Sequence, residues 1–243
     1  MNEVRNILVG MEITKDSAEL SCFDRTLREP ALIPVKVGSG QSRFPLELVK
    51  MRGRDEWHFG LEAHYFGTKE DGIEVPDLFG ILAEGRKVTV DGAEMEAHEL
   101  LGIFIRESLC LIGVPRPVHS IAGICVTSPD MGVISPAVVM KALIFTGLKE
   151  NQCFVSDHNE CFYYYAYSLK SELRGRGSGM GLVTFSQNKA EMALLAEKRD
   201  TKPFAVSMGE PVSAELPPDD DERRDASFAD AVSQIRSGLL RML

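Results

Sequence analysis

The stretch Ile121-Ala122-Gly123-Ile124-Cys125-Val126 is apolar at every position, within a longer run from Val118 to Thr127. Its β-branched residues favour a strand, and a strand with no polar alternation is covered on both faces. That pattern marks a central parallel strand, and parallel neighbours must be joined by long crossovers, usually helices. The flanking sequence supplies them. Upstream, Leu100, Leu101, Phe104, Ile105, Leu109 and Ile112 recur at three- and four-residue spacings, which predicts an amphipathic helix over 96–112. Downstream, Ser135 caps and Pro136 opens a helix to about Leu148, with Gly147 weakening its last turn. Cys153-Phe154-Val155 reads as a second short buried strand, and 159–173 as a helix rich in aromatics. The fold class is α/β.

The N-terminal third adds antiparallel strands. Val4 to Ile13 reads as a buried strand, Thr14-Lys15-Asp16-Ser17 as a polar turn, and Ala18 to Phe23 as a half-buried return strand. Ala31 to Val37 is a third strand, its prolines suiting an edge. Trp57-His58-Phe59-Gly60 is strand-like and Leu61 to Phe66 forms a helical turn. Asp91-Gly92 is the clearest hairpin turn in the chain. Arg174 to Gly181, with four glycines, reads as a linker. Beyond it come a hairpin (182–186 and 192–197), a third strand at 203–208, an acidic loop at 215–225, and a helix capped by Ser227. The aromatics Phe162, Tyr163, Tyr164, Tyr165 and Tyr167 cannot all face inward on one helix, so some meet solvent or another surface.

Charge and composition narrow the function classes. The 243 residues carry a formal net charge of −9. This opposes nucleic-acid binding, which needs clustered positive charge, and docking on anionic lipid. No apolar run approaches the ~20 residues needed to cross a bilayer, and the N-terminus lacks a signal-peptide pattern. Five scattered cysteines without a C-x-x-C pair read as reduced thiols, hence a cytoplasmic protein.

The element order, strand-first and restarting after the glycine-rich segment, resembles the actin-like ATPase superfamily of actin, Hsp70 chaperones and sugar kinases. Val9-Gly10-Met11-Glu12-Ile13 followed by Ala18-Glu19-Leu20-Ser21-Cys22 resembles its first phosphate hairpin. Phe59-Gly60-Leu61-Glu62-Ala63 is similar to the segment after its third strand. Ile124 to Asp130 resembles the strand that ends in a small-residue–proline turn, and Phe154 to Glu160 the strand-to-helix step with an acidic residue near the nucleotide. The combination is similar to an uncharacterised clostridial family of actin-like proteins.

The resemblance implies a ribonuclease H-like lobe, a mixed sheet flanked by helices, at 1–173 with an insertion at about 67–95. It also implies a linker at 174–181 and a partial second lobe at 182–243. It implies ATP and magnesium as ligands, weakly held or lost. Glu12, Thr14, Lys15, Asp157 and Ser186 would face the nucleotide, Glu12 would hold the metal, and Glu160 would orient an attacking water. Two departures oppose this. Neither expected phosphate turn, 14–17 or 186–189, contains glycine, although backbone N–H groups must approach phosphate closely. Ser186 also stands where a second metal-binding acid is expected. On their own, Asp157 and Glu160 are equally a helix start favoured by the dipole. The run Asp157-His158-Asn159-Glu160-Cys161 lacks visible partners for a metal or cysteine-nucleophile site. Residues 174–181 follow a helix and precede a strand, the reverse of a dinucleotide loop.

The expected function is a degenerate actin/Hsp70-like domain acting as an interaction or scaffold module, through self-association or a protein partner at 182–243. The alternative is an active ATPase or small-molecule kinase completed by a partner or a longer chain.

Overall fold

A computed structural model describes residues 6–27, 32–37, 40–114, 117–129, 132–169, 180–186, 189–197 and 205–215, with isolated positions 233 and 237. The chain divides into two compact units, 1–157 and 158–243. The expected terminal helix, the acidic loop beyond Glu215 and the linker up to residue 179 lie outside the described residues.

The first unit is built on a six-stranded mixed sheet. β1 (Ile7–Ile13) and β2 (Ser17–Asp24) form the expected hairpin, and β3 (Leu32–Pro34) and β4 (Arg43–Pro45) both pair with β2. An excursion follows. β5 (Leu48–Met51) pairs with β6 (Trp57–Phe59) and, after α1 (Gly60–Gly67), with β7 (Gly72–Glu74). Then come α2 (Leu78–Glu84) and the hairpin of β8 (Val88–Val90) and β9 (Ala93–Met95). Its turn is the predicted Asp91-Gly92, with φ of 52° and 78°. Lys50 Nζ lies 2.9 Å from an Asp91 carboxylate oxygen, which also accepts the Gly53 N–H at 2.8 Å. This bond to Lys50, with that from Gly53, holds the Asp91 carboxyl below its ordinary range.

The chain then returns to the main sheet. α3 (Ala97–Ser108) runs on as a 3₁₀ turn to Ile112 and stops at Gly113, which has φ of 75°. Its start is fixed by Glu99, whose carboxylate accepts the Glu96 backbone N–H at 2.8 Å. The short α4 (Pro117–Ser120) leads into β10 (Ile121–Ser128). This strand is central and parallel, flanked by β1 and by β11 (Cys153–Asp157). α5 (Pro136–Phe145) makes the crossover between β10 and β11. Ser135 stands at its N-cap position, but Pro136 rather than the serine hydroxyl defines the start, because that side chain makes no capping bond. The sheet order is β11-β10-β1-β2-β3.

One contiguous core holds the unit together. Val9, Met11, Ile13, Leu20, Ile124 and Val126 come from alternate sheet positions, and Leu100, Leu101, Phe104 and Ile105 from α3. Phe104 also ties in the excursion, its ring 5.9 Å from Phe44 and 6.0 Å from Phe59. α3 and α5 cross closely at Gly102, where an added Cβ would sit 3.0 Å from the Ala142 carbonyl oxygen and 2.6 Å from Phe145.

In the second unit, α6 (His158–Leu169) packs on a meander of β12 (Met180–Ser186), β13 (Lys189–Glu197) and β14 (Ala205–Glu215). Tyr163, Leu182 and Leu195 form its small core. The aromatic run divides as expected: Tyr163 is buried, while Phe162, Tyr164 and Tyr165 are exposed. β13 pairs Leu194 with Met208 but Met192 with Val212, so Gly209, Glu210 and Pro211 all stand opposite Ala193. This bulge accommodates a proline that cannot donate to the ladder.

Candidate functional site

The expected site begins at the β1–β2 hairpin. Its turn is closed by its own side chains. Thr14 N–H donates to the Ser17 carbonyl at 2.8 Å, and Ser17 N–H donates to Thr14 Oγ1 at 3.1 Å. The two hydroxyls lie 2.9 Å apart. Lys15 and Asp16 are exposed at the tip. A phosphate-cradling loop instead turns consecutive backbone N–H groups outward, usually through glycine. Two of the four N–H groups here are used inside the hairpin, so the turn does not fit a backbone phosphate cradle.

Glu12 sits one step back on β1, directly opposite Glu19 on β2. Like charges facing each other across strands are destabilising. Arg43 on β4, in register with Glu19, relieves them. Its guanidinium lies 3.3 Å from the Glu19 carboxylate and 3.8 Å from that of Glu12. The predicted metal ligand is thus half of a carboxylate pair that already has a cation beside it. Sequence reasoning missed Glu19 and Arg43. The hairpin register could have found Glu19, since it is as far from the turn as Glu12. Arg43 carries no such signal, because its strand is three residues long and distant in sequence.

The parallel strands bring further groups to the same end of the sheet. Glu12 is in register with Thr127, Thr127 with Ser156, and Ser128 with Asp157. Glu12, Thr127 and Asp157 therefore stand at or next to the carboxyl ends of three adjacent strands, where open α/β sheets form ligand crevices. The Thr127 hydroxyl is buried and lacks a hydrogen-bond partner, an uncommon state for a polar atom. Thr127 and Ser156 were not foreseen from sequence. The hydroxyls of a strand end carry no motif until its neighbours are known.

The other predicted residues belong to the second unit. Glu160 lies in the first turn of α6, directly after the strand that ends in Asp157. Ser186 ends β12, in register with Lys189, and positions 187 and 188 of that turn lie outside the described residues. Among the described residues no group of three or more His, Cys, Asp or Glu side chains is arranged to hold a metal ion. Burial pushes the thiols of Cys22 and Cys153 above their ordinary pKa, which keeps them in the unreactive protonated form.

These features define a mixed α/β protein whose polar residues collect at one end of its parallel strands. The chain belongs to the family of unknown function DUF5716, C-terminal region, whose model matches residues 29–238. No curated protein matches it. Among the described residues no helix is long and apolar enough to cross a membrane.

Proposed function

We propose that this chain is a degenerate actin/Hsp70-like ATPase-fold protein that works as an interaction or scaffold module, with ATP and magnesium binding weak or lost. The layout of the first unit supports the ribonuclease H-like part of this reading. A hairpin and third strand come first, then an excursion, then two strands parallel to β1 joined through a helix. The hydroxyl-locked Thr14–Ser17 turn carries the loss of nucleotide binding. The pairing of Glu12 with Glu19 and Arg43 adds to it. None of the five cysteines forms a disulfide, which suits the reducing cytoplasm. Protein contacts, with a second copy or another chain, fall to residues 182–243.

A second reading is an active ATPase or small-molecule kinase that a partner or longer chain completes. The alignment of Glu12, Thr127 and Ser156 across three neighbouring strand ends, with Asp157 one residue further on, favours it. Calorimetric titration of ATP with magnesium separates the two. The scaffold reading expects no saturable heat at micromolar nucleotide. Micromolar affinity with steady phosphate release would overturn it in favour of the enzyme.

A further inference from the structure

A sheet with parallel strands normally has both faces covered, and an exposed apolar patch marks a binding surface. The main sheet of the first unit lays one face on the core. The opposite face carries Leu8 on β1 and Phe154 on β11, both exposed. The two side chains lean together over Gly123 of β10, where an added Cβ would lie 3.4 Å from Phe154 and 3.5 Å from Leu8. Gly10 follows Leu8 on the same face, so the floor beyond this apolar pair is low. Further along that face Glu12 and Glu19 stand opposite each other with the Arg43 guanidinium beside them. Two carboxylates against a single guanidinium leave this end net negative, like the chain as a whole.

We infer that this face docks a basic amphipathic helix of another protein, its apolar stripe on Leu8 and Phe154 and a lysine or arginine on Glu12 and Glu19. A helix is the element that covers parallel strands, and the low glycine floor lets its backbone come close. Charge selects the sign of the partner. A chain of −9 attracts a cationic segment and repels a second copy of itself. Strand spacing sets the register. Glu12 lies four residues beyond Leu8 on β1, about 13 Å along the strand. A helix lying along β1 covers that distance in about nine residues, which fixes how far its basic residue stands from its apolar anchor. The surface belongs wholly to the first unit, so it goes beyond the interaction role proposed for 182–243.

Two fluorescein-labelled helical peptides, each about 18 residues long, test this against the full chain by fluorescence anisotropy. Both carry the same leucine stripe. One has lysine and the other glutamate about nine residues beyond the first leucine. Circular dichroism checks the fold of every protein variant, and Phe154→Ser alone replaces the apolar double variant if that fails to fold. We expect wild type to bind the lysine peptide about tenfold more tightly than the glutamate peptide. Glu12→Gln with Glu19→Gln should remove most of that preference, and Leu8→Ser with Phe154→Ser should weaken the lysine peptide about tenfold. Binding of neither peptide, equal affinity for both, a preference that survives loss of the two carboxylates, or binding that survives loss of the two apolar side chains would each overturn the assignment. So would a wild-type dimer in sedimentation equilibrium that Leu8→Ser with Phe154→Ser dissociates, because a second copy would then cover the face.

Discussion

The two faces of the six-stranded sheet are made by alternate residues of the same strands, yet they differ completely in character. On one face Val9, Met11, Ile13, Leu20, Ile124 and Val126 are each at most 4% exposed. On the other stand Leu8, Gly10, Glu12, Cys125, Thr127 and Phe154, with Leu8 41% and Phe154 54% exposed. The first face joins the core that α3 and α5 share, and the second carries Glu12 and Thr127. Closed core and open face are therefore separated by a single step along β1, from Met11 to Glu12.

Substitutions can break that separation if it is wrong. The largest loss is expected under the closed face. Phe104→Ala removes a fully buried ring stacked on Phe44, and should cost about 3–5 kcal/mol in urea unfolding. Gly102→Val comes next, at about 1–3 kcal/mol, because its side chain has no room against Ala142 and Phe145. Thr14→Ala opens the hairpin lock and should cost about 1 kcal/mol, read as a small fall in Tm. Glu12→Gln on the open face is expected to stay within about 0.5 kcal/mol, since it relieves opposition to Glu19 while losing an exposed contact to Arg43. A Glu12 variant that destabilises as much as Phe104→Ala would show that the second face is structural after all.

The same contrast explains what the sequence made legible. The central parallel strand was readable from the apolar run around Ile121, Ile124 and Val126, but the run also implied cover on both faces, and the face bearing Cys125 and Thr127 is only half-buried. The Asp91-Gly92 hairpin was readable because its backbone angles require those residue types locally. The three-stranded sheet of β5, β6 and β7 was not, since Gly72–Glu74 is too short to show a period and its pairing with Val49 and Lys50 is non-local. Of the candidate site, Glu12 and Asp157 stand near the carboxyl ends of the two strands that flank β10. Arg43 and Thr127 were invisible, because their roles arise only when distant strands are brought side by side.

The bulge in β14 limits how such a molecule could assemble. Pro211 has no N–H to give a further strand, and three residues standing against one break the even spacing that a ladder needs. That margin of the sheet is therefore a poor template for a head-to-tail polymer.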